Sequence, residues 1–257
     1  MTRTRFAIFC AVLVFQSITC AEDIDQKQSG PLELVIQYKC LPGNRAELRS
    51  KVTADDLPRF EKWRQEGILL RYELLFSRYA DGNSWDMLAH ITFPNYANLS
   101  RWKRIERTFP AGLSAGALQL VSSVETFPAD QLRTGAAGET SSEPVFFVIP
   151  YTISVPPATY LEYADSYVKP QFAGWIREGV LSSYQVLLQR YTAARPWDVL
   201  IILRYASDES FGQREKIIAK VREELKSNPQ WKAASDSKLN LRVERLAIIA
   251  DSLGGLK

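Results

Sequence analysis

The chain repeats itself, and this constrains its fold more than any other feature. Residues 58–88 read PRFEKWRQEGILLRYELLFSRYADGNSWDML, and residues 170–200 read PQFAGWIREGVLSSYQVLLQRYTAARPWDVL. They align without a gap at an offset of 112 and share 13 of 31 positions. Two tryptophan pairs, Trp63/Trp175 and Trp85/Trp197, fall in register. So do Gly67/Gly179, Tyr72/Tyr184, Arg78/Arg190, Tyr79/Tyr191 and Asp86/Asp198. A duplicated chain of 257 residues predicts two copies of one domain, each of about 100 residues.

Between the copies, residues 128–144 (PADQLRTGAAGETSSEP) lose aromatic residues and gain Gly, Ser, Thr and Pro. That is linker composition. It places repeat 1 at 31–127, a linker at 128–144 and repeat 2 at 145–250.

Each copy yields the same order of elements. Leu32–Leu41 alternates and is rich in strand formers. Pro42-Gly43 ends it, and a helical stretch runs to Glu66, divided around Pro58. Phe60 and Trp63 mark its apolar face, and Gly67 suits a C-cap. Strands follow at 68–79 and 85–93, joined by the turn Asp81-Gly82-Asn83. A second helix at 95–108 and a strand at 118–127 complete the copy. Repeat 2 predicts strands at 145–153, 180–191, 197–205 and 239–249, with helices at 157–178 and 207–227.

The order βαββαβ is the split-βαβ, ferredoxin-like unit, so the fold class is α+β with two tandem ferredoxin-like repeats. Such a unit places both helices on one sheet face and leaves the other open. A tandem copy covers that open face, letting two sheets bury their free sides against each other.

The pattern P-x-F-x-x-W-x-x-E-G-[IV]-L-x-x-Y-x-x-L, a turn, then W-D-x-L resembles the dimeric α/β-barrel superfamily, in particular its EthD-like, NIPSNAP-like and antibiotic-biosynthesis-monooxygenase-like members. The resemblance covers each repeat from first strand to last. It implies a pseudo-dimeric α/β barrel within one chain, with a cavity that in the superfamily often holds a small, largely apolar molecule or a haem. Haem-binding tandem members use a histidine in the C-terminal copy, which this sequence lacks. No cofactor is therefore predicted, and haem is not expected. No metal is predicted either, since one histidine and three cysteines cannot build a multi-ligand site of the usual kind.

Residues 1–21 have the parts of a secretory signal peptide. Arg3 and Arg5 open it, Phe6–Phe15 is an apolar run of ten, and Gln16–Ala21 supplies a small-residue end. Cleavage after Ala21 leaves Glu22 first. Ten apolar residues span about 15 Å as a helix, half a bilayer core, so no stable membrane span is expected in the mature chain. The expected location is secreted or periplasmic. A lipid anchor on Cys20 is a minor alternative, because Ser17 and Thr19 depart from the lipobox pattern. Cleavage removes Cys10 and Cys20, so no internal disulfide is available, and Cys40 reads as a buried, inert thiol.

Export also changes the charge balance. The full chain carries 32 basic and 29 acidic residues. Removing Arg3 and Arg5 leaves 30 against 29, and the hint of an acidic partner dissolves. The cluster Arg101, Lys103, Arg104 and Arg107 reads as a solvated helix face. No nucleic-acid fingerprint accompanies it, so no nucleic-acid partner is expected.

Chemistry is sparse. His90 lies on the third strand and shares a face with Asp86, Leu88 and Thr92, which makes it the candidate catalytic base. Arg71 and Glu73 occupy the more polar face of the second strand and are candidate ligand-binding residues beside His90, or else a solvent-facing pair. Tyr72 and Tyr184 are further ligand-binding candidates. Asp86 and Asp198 are the expected partners of Arg78 and Arg190 across each hairpin. Phosphate loops, CxxC, HExxH and GxSxG are absent from the sequence. With 12 Phe, 11 Tyr and 6 Trp, the chain favours an exported protein that holds a small, mostly apolar molecule in a barrel cavity, with cofactor-independent catalysis an open role for it. The alternative is a non-catalytic structural or protein-interaction module with a filled barrel, whose outer surface binds a protein partner or a second copy.

Overall fold

The structure, a computed structural model, describes residues 31–137 and 143–255. The expected leader at 1–21, with Cys20, lies outside the described residues, as does 138–142 of the segment between the repeats.

Repeat 1 contains β1 (Leu32–Cys40), helix α1 (Arg45–Lys51), a π turn (Val52–Asp56), α2 (Leu57–Gln65), β2 (Arg71–Ser77) and β3 (Met87–Phe93). It continues with α3 (Tyr96–Ile105), the short α4 (Ala115–Leu118) and β4 (Val121–Ala136). Repeat 2 contains β5 (Val145–Ile153), α5 (Pro157–Tyr163), a π turn (Ala164–Val168), α6 (Lys169–Arg177), β6 (Leu181–Gln189) and β7 (Val199–Tyr205). It ends with α7 (Asp208–Gly212), α8 (Arg214–Leu225), α9 (Pro229–Leu241), β8 (Arg242–Glu244) and β9 (Ile248–Gly255). The first helices and both π turns recur at the offset of 112 seen in the sequence. Pro58 and Pro170 each sit in the first turn after a π turn, where the missing N–H costs least. Gly67 and Gly179 end α2 and α6 at φ +65° and +78°, and Ile68 N–H donates to Trp63 O at 2.9 Å. Both are glycine C-caps of the expected kind.

Eight antiparallel strands close a barrel in the order β7-β6-β4-β1-β3-β2-β9-β5, with β5 returning to β7. The last strand of each repeat joins both copies. β4 pairs with β1 through Val121–Ala129 and with β6 through Ala129–Ala136. β9 pairs with β5 through Ile248–Asp251 and with β2 through Ala250–Gly255. The barrel thus has no free edge along these seams.

Strand alternation sorts side chains into three cores. Met87, Ala89, Ile91 and Phe93 of β3 face the helices of repeat 1, while Leu88 faces the barrel. Repeat 2 has its own helix-side core. The barrel interior is filled by both copies, with Val35, Leu75, Phe127, Phe146, Trp197 and Leu200 among its members.

Two expectations on secondary structure are corrected. Residues 128–136 are not linker but the second half of β4, because pairing with β6 satisfies their backbone groups. Residues 239–249 are not one strand. Asn228 caps α9, its side chain accepting from Gln230 N and Trp231 N, and Pro229 occupies the first turn. That helix runs to Leu241 and delays the closing strand to Ile248.

Candidate functional site

His90, Arg71 and Glu73 come together at one end of the barrel interior. Register dictates this: Glu33 and Arg71 both lie opposite Thr92, while Val35 and Glu73 both lie opposite His90. His90 Nε2 is 2.8 Å from Glu33 Oε2, and Thr92 Oγ1 donates to the same oxygen at 2.6 Å. Arg71 donates to Thr92 Oγ1 at 2.9 Å, to Glu33 Oε1 at 3.2 Å and to Gln131 Oε1 of β4 at 2.6 Å. Ser252 of β9 donates to Glu73 Oε1 at 2.5 Å. The Arg71–Glu73 pair is thus not a solvent-facing one, since Glu73 is buried and Arg71 reaches inward.

The two carboxylates respond oppositely to burial. Desolvation raises both. At Glu33 it is outweighed by hydrogen bonds from His90 and Thr92 and by the charges of His90 and Arg71, and the net shift is downward. Glu73 has only the Ser252 hydroxyl and the charge of Arg204 to oppose burial, and it is pushed up to about 7. Glu33 is the member sequence reasoning missed. Its signal was an acid on the same strand face as Val35, in a strand whose other polar residues are Gln37 and Lys39.

Tyr72 and Tyr184 do not join this group. They point to the opposite sheet face, where Tyr72 packs on Phe60 at 5.5 Å and Tyr184 on Phe172 at 4.9 Å. Odd and even strand positions face opposite ways, so neighbours in sequence such as Tyr72 and Glu73 are separated by the sheet. The expected hairpin ion pairs are also replaced. Arg78 binds Asp251 and Asp208, and Arg190 binds Asp130 and Tyr96. The Arg78–Asp251 and Arg190–Asp130 pairs each tie a second strand to the bridging strand from the other copy. Cys40 is buried, and burial together with Asp86 pushes its thiol up to about 11.

At mid-barrel, where a cavity was expected, side chains of both copies pack together, with Phe127 5.0 Å from Trp197. None of the three cavities described below is lined by His90. One, of about 320 Å³, lies at the barrel mouth over Trp85 and Trp197. A second, of about 410 Å³, borders Asp198. The third, of about 100 Å³, lies between sheet and helices of repeat 2.

This third cavity is chemically distinctive. Phe172 and Trp175 of α6, Tyr151 of β5 and Tyr205 of β7 supply aromatic walls, and Arg214, Arg222 and Arg242 also line it. Trp175 Nε1 is buried and has no hydrogen-bond partner among the described residues. Arg242 lies 4.0 Å over the Tyr151 ring, and Arg214 lies 4.7 Å over Phe147. Burial raises the Tyr151 phenol, with Arg242 opposing it, and pushes Tyr205 up to about 12, so both phenols stay protonated. At the corresponding place in repeat 1, Phe60, Trp63 and Trp102 interlock at centroid distances of 5.1 to 6.1 Å. By the offset of 112, Arg214 stands where repeat 1 has Trp102.

No protein-family model matches the sequence, and neither does a curated protein. Solved structures do match in fold. A provisionally named monooxygenase from Lactobacillus acidophilus NCFM is similar at TM-score 0.55 and 13% identity, over 88% of this chain and 96% of that one. An anthrone oxidase-like protein is similar at TM-score 0.53 and 13% identity, over 88% and 92%. The chain has the fold of the dimeric α/β-barrel superfamily, with both units fused in one polypeptide.

A heme-binding protein from Thermus thermophilus is also similar, at TM-score 0.49 and 10% identity over 87% and 91% of the chains. The expectation of no cofactor, with haem set aside, is thereby corrected: haem is held by a protein of similar fold. In this chain the repeat 2 cleft does not fit that group as it stands, being small and lined by neither histidine nor cysteine. Among the described residues no group of three or more His, Cys, Asp or Glu side chains is placed to hold a metal ion. No helix among them is long and apolar enough to cross a membrane.

Proposed function

We propose that this is an exported small-molecule-binding protein of enzyme-like fold, and that its ligand occupies the sheet–helix cleft of repeat 2. The ligand is small and mostly apolar, with an aromatic body and one acidic group. The carrying observation is the exchange of Trp102 for Arg214 between copies, which leaves a cleft in one repeat where the other is packed. Aromatic walls suit a planar ring. Arg214, Arg222 and Arg242 line the cleft against two carboxylates, Glu244 in its wall and Glu215, which pairs with Arg214 at 2.5 Å. The cationic excess suits an anion, and the unpartnered Trp175 N–H offers it a donor. Export rests on the leader at 1–21.

The test is thermal stability against a panel of small aromatic carboxylates and their neutral esters. Carboxylates are expected to raise the melting temperature, and Arg214→Trp, which copies repeat 1, is expected to abolish the response. Equal responses to acids and esters, or an unchanged response in Arg214→Trp, sink this assignment. The filled barrel favours a second reading, in which the molecule acts only through its outer surface. A panel without any stabilising acid is the result that reading expects.

A further inference from the structure

The cavity beside Asp198 has an occupied counterpart in the other repeat, and the comparison identifies what it takes. In repeat 1, Asp86 is buried and accepts from Cys40 N at 2.8 Å. Its other oxygen receives the Arg45 guanidinium. That guanidinium also donates to Ser77 Oγ at 3.1 Å and Ser77 O at 2.7 Å, and lies 5.0 Å over the Phe76 ring. Lys39 Nζ adds a second cation 3.6 Å from Asp86.

Repeat 2 keeps the acceptors and lacks the cation. Asp198 corresponds to Asp86 and accepts from Ile153 N at 2.8 Å, the same backbone bond at the same length. Arg45 corresponds to Pro157, the first residue of α5 as Arg45 is of α1. Ser77 and Phe76 correspond to Gln189 and Leu188. No cation pairs with Asp198 among the described residues. Where the guanidinium would lie, the structure has a cavity of about 410 Å³ lined by Asp198, Gln189, Leu188 and Pro157.

A second observation points to a ligand. Gln189 is 3% exposed, and its Nε2 donates to Tyr191 O, but its buried Oε1 has no partner. A buried acceptor left unmade is costly, and a donor entering this cavity removes that cost. The local charge agrees. Arg190, which also lines the cavity, is held by Asp130 at 2.5 Å and by Tyr96 OH at 2.8 Å, leaving Asp198 uncompensated. Ile153 and Val155 complete an apolar wall suited to a hydrocarbon stem.

We infer that this cavity is a binding site for an alkylguanidinium group, which enters between Asp198 and Gln189 in the place Arg45 takes in repeat 1. The planar, multi-donor head fits two acceptors better than an ammonium does. Its source is either a free alkylguanidine or the arginine side chain of a peptide.

Calorimetric titration of the mature chain tests this with n-butylguanidinium, neutral n-butylurea and a blocked Gly-Arg-Gly peptide. Butylguanidinium is expected to bind saturably and butylurea not at all. Tighter binding of the peptide than of butylguanidinium assigns the source to a protein-borne arginine. Asp198→Asn should weaken the cation by about tenfold or more. Pro157→Arg should abolish binding, and the fold accepts arginine there because repeat 1 has it. As an independent measurement, Arg45→Ala should lower the melting temperature, and butylguanidinium should restore it more than butylurea does. Equal binding of the urea, retained binding in Pro157→Arg, or no saturable binding of either cation overturns the inference.

Discussion

Replacing Glu73 with glutamine should change the pH dependence of stability in a predictable direction. The Glu73 carboxyl is 5% exposed, takes one hydrogen bond from Ser252, and is pushed from its usual 4.5 to about 7. Between these values the unfolded chain releases this proton and the folded chain keeps it. Stability from this group is therefore complete below about 4.5 and is lost as pH rises through about 7. A separation of about 2.5 pH units corresponds to roughly 3 kcal/mol. Glu33 is shifted the other way, so the wild-type profile alone mixes the two. The Glu73→Gln variant isolates one of them, since glutamine keeps the shape and an acceptor for Ser252. Urea denaturation from pH 4.5 to 8 should show the two proteins close at the acid end. The variant should be the more stable by up to roughly 3 kcal/mol at the alkaline end, a midpoint difference of about 1 M urea. Parallel profiles, or a gap that opens toward acid, would refute the argument that burial dominates at Glu73.

Other perturbations probe the seams and cores. Phe127→Ala removes a fully buried barrel side chain packed 5.0 Å from Trp197, and should cost about 3–5 kcal/mol by urea denaturation. A double-mutant cycle on Arg78 and Asp251, a partly exposed pair across the β2–β9 seam, should give a coupling of about 0.5–1 kcal/mol that shrinks in high salt. Gly135→Ala would place a Cβ 2.5 Å from the Tyr184 ring and should destabilise the β4–β6 seam, read as faster amide exchange there than at β1–β3. N-terminal sequencing of the exported protein should begin at Glu22, and a start at Met1 would remove the case for export.

Two copies with different occupants are the useful feature of this molecule. One chain contains, for both the helix-side cleft and the Asp86/Asp198 niche, a filled version and an open one. Trp102 fills the first and Arg45 the second, while Arg214 and Pro157 leave their counterparts open. Each substitution that copies one repeat into the other is thus a test with a built-in structural precedent.

Much of this architecture was legible in the sequence. The offset of 112 announced the duplication, and alternation with glycine and turn signals located β1, β2 and β3 and their copies, because period and capping are local properties of the chain. The same alternation brought Arg71, Glu73 and His90 to one face. The end of each repeat was not legible. Residues 128–136 look like linker until β6 supplies their hydrogen-bond partners, and residues 239–241 look like strand until α9 absorbs them. Glu33 as the partner of His90, Asp251 as the partner of Arg78, and the packed mid-barrel depend on which strands become neighbours. Strand pairing between copies is a long-range choice, made by burying two open sheet faces against each other. Local periodicity set the elements, and only closure of the barrel decided which charges meet, which space is filled and which is left for a ligand.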